Sequence, residues 1–333
     1  MYCGIDLANK TSAICIRRQQ KMVLETECAT DEDGFRQALK DFKQLTIVIE
    51  ASPFAEWVAL WLEQLGHQVK VIDPRRAAAL IRTKKKTDRL DAQQLARLAE
   101  TGWYHEVHRK SDPARLLRSH LRARQGLVEA RQAQVFRIRG LLRVHGLKVG
   151  SVSKARFAER VRQLCHDHVP DLLAVVEPLL SVLQGIRDGE AALTRRLKQV
   201  AQRDASCRLL MTMPGVGPMT AVAFVSTVDD PHRFARGDQV AAYMGLVPSV
   251  YQTGDTHYTG SITREGDKLT RTLLAEAANA LLAHYRGDCA LKRWGERLAD
   301  RKGGGKARVA VARKMAMVLH RMWINNEPFR AFA

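Results

Sequence analysis

Leu45-Thr46-Ile47-Val48-Ile49-Glu50, "LTIVIE", decides the fold of the first hundred residues. It is a short β-branched, largely apolar run closed by an acid. Such a run reads as a strand buried on both faces, at the centre of a sheet with helices over it. Upstream, Tyr2 to Leu7, Ser12 to Arg17 and Lys21 to Glu27 predict three strands in an antiparallel meander. Asp31 predicts the N-cap of a helix running to Phe42. Downstream, Phe54 to Leu65 predicts an amphipathic helix stopped by Gly66. Gln68 to Ile72 follows as a strand and Asp88 to Glu100 as a helix. The order βββαβαβα is that of an RNase H-like fold, with helices covering a mixed sheet.

The pattern changes after residue 108. Residues 109–203 are almost wholly helical, with one break near Gly146 to Ser153. Leu116, Leu121, Leu127 and Val128, then Leu193, Leu197 and Val200, recur at helical spacings. Two long helices folded as a coiled-coil arm satisfy this, and so does a plain helical bundle. Residues 204–333 form a third, mainly helical part. It opens at Pro214-Gly215-Val216-Gly217, a helix-hairpin-helix-like turn. The glycines Gly215 and Gly217 let backbone N–H groups approach a phosphate at the next helix, or simply make a tight turn. A helix is expected from Lys268 to His284. The basic segment Leu291 to Trp323 is broken by Gly303-Gly304-Gly305. Its "GGGKAR" is not a phosphate-binding P-loop, because it lacks the upstream glycine and the Ser/Thr after the lysine. Between the Pro214–Gly217 turn and the Lys268 helix, "VYQTGDTHYTG", Val250 to Gly260, has the composition of a polar loop. The fold class is therefore α/β plus all-α, in three parts: 1–108, 109–203 and 204–333.

The 333 residues are 46% hydrophobic, which excludes a disordered chain. The formal charge of +19 asks for a polyanionic partner. No apolar run reaches 18 residues and the N-terminus starts on a strand-like pattern, so the expectation is a cytoplasmic nucleic-acid-binding protein without a membrane partner. From Arg75 to Arg143 there are 18 Lys/Arg against 6 Asp/Glu, a concentration that favours phosphate contact over a merely solvated face. Lys84, Lys85, Lys86 and Arg89 are its candidates. The six cysteines are scattered and read as reduced thiols. Cys165-His166-Asp167-His168 has metal-ligand residue types, but too close together for a tetrahedral zinc site.

Four acids occupy telling places. Asp6 lies in an apolar first strand, where an acid needs a partner. Glu50 ends the central strand, where an exposed acid costs little. Asp88 and Asp91, in "KTDRLDA", share one helix face at i and i+3. Asp88 also reads as a helix N-cap, with Asp91 then at N3 and favourable to the dipole. A helix packed on adjacent strands would bring the four together. Carboxylate oxygens are what magnesium takes. Two such ions roughly 4 Å apart activate the attacking oxygen and stabilise the leaving oxygen in phosphodiester cleavage.

"GIDLA", "IVIEAS", "KTDRLDA", "MPGVG", "AAYMGLVPSVYQTG" and "GSITREGDKLTRTLLAEAANALL" occur in this order. With them the chain resembles the DEDD transposases of the one-hundred-and-ten insertion-sequence family over nearly its whole length. The resemblance implies a RuvC-like N-terminal domain in which Asp6, Glu50, Asp88 and Asp91 hold two magnesium ions. It implies a coiled-coil arm and a C-terminal transposase domain. It also implies a recombinase guided by a structured non-coding RNA of its own element, pairing with donor and target DNA. The enzyme would work as a homo-oligomer, dimer or tetramer, with the acidic site of one subunit meeting the transposase domain of another. A serine before a glycine would form a covalent phosphoserine link. Here that position is Thr253, in Gln252-Thr253-Gly254. Threonine carries the same hydroxyl, and its methyl stiffens χ1 and crowds the line of attack. Ser249 and Ser261 are the other nearby hydroxyls. Two rival functions share these residues: a RuvC-like nuclease acting by water attack, and a binding protein that has lost its chemistry. A covalent intermediate separates the recombinase from both.

Overall fold

The computed structural model describes residues 1–73, 87–253 and 256–332. Lys84, Lys85 and Lys86 lie outside the described residues. The chain divides into two compact units, Met1–Lys110 and Ser111–Ala333.

In the first unit "LTIVIE" becomes β4, Thr46–Glu50, with Ile47, Val48 and Ile49 fully buried. Around it stand β1 (Tyr2–Asp6), β2 (Thr11–Arg18), β3 (Lys21–Ala29) and β5 (Gln68–Ile72). The sheet order is β3-β2-β1-β4-β5. The first three strands form the expected antiparallel meander, and β4 and β5 run parallel to β1. Helix α1, Glu32–Leu39, is capped by Asp31, whose side chain accepts from the Gly34 N–H at 2.7 Å. Helix α2 (Ala55–Gln64) ends before Gly66, whose φ of 91° only glycine adopts without strain.

Strand alternation assigns the two faces. Cys3, Ile5, Ile47 and Ile49 join Phe35, Val58, Trp61 and Leu62 in the core under α1 and α2. Val48 and Ile72 point the other way, onto Leu95, Leu98 and Ala99 of α3, Asp88–Thr101. Gly4 lies beneath α3 as well. A Cβ on Gly4 would stand 2.2 Å from both the Ala92 carbonyl oxygen and the Ala96 nitrogen, so a side chain here would push the helix off the sheet.

In the second unit α4 (Asp112–Val144) and α6 (Leu172–Arg203) run antiparallel, with α5 (Phe157–His168) at the far end. Gln134 donates to the Leu179 carbonyl at 3.0 Å, Arg131 pairs with Glu190 at 2.6 Å, and Arg124 donates to the Thr194 hydroxyl at 2.8 Å. Fully buried apolar residues cluster at the two ends. At one, Ile138, Leu142, Val161, Leu164 and Val176 form a small core. At the other, Leu121, Leu197 and Ala201 enter the main core. Between them Gln134 is buried and Leu127, Val128 and Leu193 are half-buried, and a Cβ on Gly189 of the facing helix would lie 3.2 Å from the Leu127 Cδ1. A coiled coil carries an apolar seam throughout; the middle of this pair mixes half-buried apolar residues with ion pairs and hydrogen bonds, and Leu116 is exposed.

The rest comprises α7 (Ala205–Leu210), α8 (Pro218–Val228), a 3₁₀ turn at Pro231–Arg233, α9 (Gly237–Tyr243), the strands β6 (Pro248–Thr253) and β7 (Thr256–Ile262), α10 (Lys268–Ala283), α11 (Ala290–Lys302) and α12 (Gly304–Asn325). Phe224, Leu274, Met315 and Leu319 share one core with the base of the helix pair, so position 203 falls inside this unit. All six cysteines are free thiols, five of them buried. Among the described residues no helix is long and apolar enough to cross a membrane.

Arg118 ties the helix pair to this core. It donates to the Thr227 hydroxyl at 2.9 Å and to Asp267 at 2.8 Å, while Asp267 caps α10 by accepting from the Thr270 N–H. Burial pushes the Asp267 carboxyl up. The Thr270 N–H and the Arg118 guanidinium outweigh it and hold the group below the ordinary aspartate range. An Arg118→Met chain leaves that carboxylate without its cation and is expected to lose about 3 kcal/mol of stability at neutral pH in urea unfolding. A carboxyl with a depressed folded pKa contributes stability above its unfolded pKa and loses it as pH falls. The gap between parent and variant therefore narrows on acidification through the carboxylate range.

Candidate catalytic site

Asp6 and Glu50 are the last residues of the neighbouring parallel strands β1 and β4. Each is two residues beyond one already assigned to the α3 face, Gly4 and Val48. Alternation therefore turns both half-buried carboxylates toward the side that α3 covers.

The direction of α3 sets which of its ends meets them. Gln93 donates to Glu25 at 2.8 Å, and Glu25 lies in register with Cys15 and Gly4. One turn earlier, Arg89 donates to Glu27 at 2.9 Å, and Glu27 lies in register with Ala13 and Asp6. The helix thus runs antiparallel to β1, with its first turn level with Asp6. That turn carries Asp88 and Asp91. Four carboxylates from three elements occupy one edge of one sheet face.

The N-cap of α3 is Thr87, whose hydroxyl accepts from the Leu90 N–H at 3.3 Å. This corrects the reading of Asp88 as the cap. Asp88 is exposed at N1 and Asp91 half-buried at N4, so neither carboxylate is occupied by capping the helix. Arg89, a candidate phosphate contact, is exposed and paired with Glu27. The donor set, carboxylate oxygens only, fits the chemistry of magnesium. The four are not drawn round a single point: among the described residues no group of three or more His, Cys, Asp or Glu stands close enough to hold a metal ion. Cys165 to His168 on α5 form no such group either: Cys165 is buried in the small core and His166 is exposed.

In the second unit the described residues of "VYQTGDTHYTG" are strand rather than loop. Val250 to Thr253 and Thr256 to Gly260 belong to the antiparallel pair β6 and β7, with Tyr251 opposite Tyr258 and Thr253 opposite Thr256, while Gly254 and Asp255 lie outside the described residues. Thr253 ends β6 and is exposed. The Ser249 hydroxyl is engaged, donating to the Ser261 carbonyl at 3.0 Å where the register shifts. Gly260 leaves it room, since a Cβ there would lie 2.5 Å from the Ser249 oxygen. Ser261 is exposed on the same bulge.

The two glycines of "PGVG" differ. Gly215, at φ 87°, is pressed against α10, where a Cβ would meet the Ala277 carbonyl at 2.3 Å. What it approaches is a helix rather than an open surface. Gly217 is the N-cap of α8 and faces open space. The chain's charge also divides unevenly. Residues 111–333 hold 36 Lys/Arg against 20 Asp/Glu, residues 1–110 hold 18 against 15. The hairpin thus belongs to the strongly basic unit. Sequence reading passed over two features: Gly4, signalled by a glycine inside an apolar strand, and the tyrosine pair.

Comparison with known proteins finds family matches to residues of both units. Residues 3–146 match the model of the DEDD transposases of the IS110 type, and residues 207–294 match the transposase IS116/IS110/IS902 family. Together the matches span more than two thirds of the chain. The transposase for insertion sequence element IS1111A of Coxiella burnetii is 28% identical over 99% of this chain and 91% of its own length. A probable family 20 transposase of Pseudomonas aeruginosa is 29% identical over 95% and 94%. The pilin gene-inverting protein of Moraxella bovis is 21% identical over 98% and 97%.

Proposed function

The chain belongs to the IS116/IS110/IS902 family of DNA transposases, and we propose that it is an RNA-guided recombinase using Thr253 as its nucleophile and Asp6, Glu50, Asp88 and Asp91 as its magnesium ligands. The observation that carries this is the common edge of the four carboxylates, two at strand ends facing the helix and two on that helix's first turn. Magnesium held there would supply positive charge to the attacking and leaving oxygens of a phosphodiester. Each acid contributes lone pairs and negative charge, and the apolar sheet behind Asp6 and Glu50 fixes their backbone.

Thr253 supplies the other reactant. Its Oγ1 forms a bond to phosphorus and the bridging P–O bond breaks. One DNA strand is left as a phosphothreonine ester, and the other departs as a hydroxyl that takes up the threonine proton. The ester keeps the energy of the broken bond, so a second strand's hydroxyl can reverse the step and rejoin the DNA without an external energy source. The basic second unit favours nucleic acid backbone. Donor and target DNA, and an RNA from the element's own non-coding end, are the partners. The acidic half and the hydroxyl half are brought together across copies of the chain in a dimer or tetramer.

The test combines the purified chain, its element's RNA, DNA carrying the element's end, and magnesium. The expected product is a covalent protein–DNA adduct that survives denaturing electrophoresis. A chelator should abolish it and added magnesium restore it. Cleavage without any adduct would instead establish attack by water, and no cleavage at all would establish a binding protein.

A further inference from the structure

Tyr251 and Tyr258 face each other across the hairpin, ring centroids 5.4 Å apart and planes tilted by 32°. Cross-strand aromatic contact stabilises a ribbon, but it covers only part of each ring. Tyr251 remains 51% exposed and Tyr258 59%. Alternation puts Thr253 on the ribbon face that carries Tyr251, two residues on, roughly 7 Å along the strand. A base in a nucleic acid strand repeats every ~3.4 Å along the helix axis. The exposed rings therefore stand about two base steps from the hydroxyl. Arg264 and Lys268, both exposed, follow the hairpin directly in the chain, within the unit that holds the excess positive charge. Flat exposed rings in a basic setting are the elements from which proteins build stacking platforms for single-stranded nucleic acid.

We propose that Tyr251 and Tyr258 form such a platform. They stack an unpaired DNA base beside the phosphate that Thr253 attacks, and so position that phosphate. They are positioning residues, and the proposal rests on the reading of Thr253 as nucleophile. The rings recognise a base by its face, so the platform tolerates any sequence.

The test places 2-aminopurine next to the exchanged phosphate in DNA carrying the element's end, within the full assembly of chain, RNA and magnesium. Stacking on tyrosine quenches its fluorescence. The parent should quench it. A Tyr251→Leu, Tyr258→Leu chain keeps an apolar cross-strand pair that holds the hairpin. It should lose the quenching and raise the KM for adduct formation roughly tenfold or more. A Tyr251→Phe, Tyr258→Phe chain should match the parent in both. Thr253→Ala should quench normally and form no adduct. An adduct from Thr253→Ala would defeat the nucleophile reading while leaving the platform standing. The platform itself is overturned if the parent fails to quench, or if the leucine pair quenches and reacts as the parent does.

Discussion

An Asp88→Ala chain is expected to lose strand exchange by roughly three orders of magnitude while unfolding within a few degrees of the parent. The two halves of this expectation have separate causes. Metal-ion charge stabilisation is worth several kcal/mol in a phosphoryl transition state, and each 1.36 kcal/mol is tenfold in rate. The small effect on stability follows from the cap. Thr87 already accepts the Leu90 N–H, so exposed Asp88 adds only its interaction with the dipole of α3, about 0.3–1 kcal/mol. Thr87→Ala is the crossed control. It removes the cap, costs about 1 kcal/mol, and should leave exchange within a few-fold of the parent. Thermal unfolding and adduct yield, measured on both chains, separate the roles. Exchange at the parental rate by Asp88→Ala would show that this acid is no metal ligand.

The first unit was legible because its signals are local and repeat with period two. "LTIVIE" told of a buried strand, and counting by twos from Gly4 to Asp6 and from Val48 to Glu50 turns both acids to one face. What the strands do not reveal is which helix covers that face and in which direction. That direction emerged from Arg89 with Glu27 and Gln93 with Glu25, pairs 62 and 68 residues apart. No local pattern encodes contacts at such separation. Capping was misassigned for a simpler reason: Thr87 and Asp88 are both good N-caps, adjacent in sequence, and only the backbone turn decides between them.

The second unit was read less well. Helical spacing in residues 109–203 announced two long helices correctly, yet spacing says nothing about what an apolar face meets. The mid-length leucines Leu127 and Leu193 are only half-buried, and ion pairs such as Arg131 with Glu190 lie among them. The hairpin was passed over as a loop because its residues are polar. The sequence signal for strands was present in the flanks, which hold valine, tyrosine and threonine around a Gly-Asp dipeptide. Tyrosines and threonines favour strands whatever their polarity. A ribbon of two strands with both faces largely wet has no apolar alternation to betray it, and so its register, which pairs Tyr251 with Tyr258, could not be read from composition.

Register also frames the second large effect. Thr253→Ala is expected to form no covalent DNA adduct, because the alanine methyl has no oxygen to bond to phosphorus. Ser249→Ala should form adduct at nearly the parental rate. The Ser249 hydroxyl is committed to the Ser261 carbonyl, and its loss weakens the hairpin by about 1 kcal/mol without removing a reactant. Thr253→Ser is the informative chain. Threonine's second β-substituent leaves few χ1 states, and forcing a side chain about 30° from its rotamer costs of order 0.5–1.5 kcal/mol. If in-line attack demands such a turn, removing the methyl should raise the rate up to about tenfold at saturating DNA. If the methyl instead holds the hydroxyl in its attacking rotamer, serine will be slower by a similar factor. The exposed end of an extended strand offers little packing to make a methyl useful as a brace, and the acceleration is therefore the expected result. Burst amplitudes of adduct on the three chains, read at one magnesium concentration, decide it.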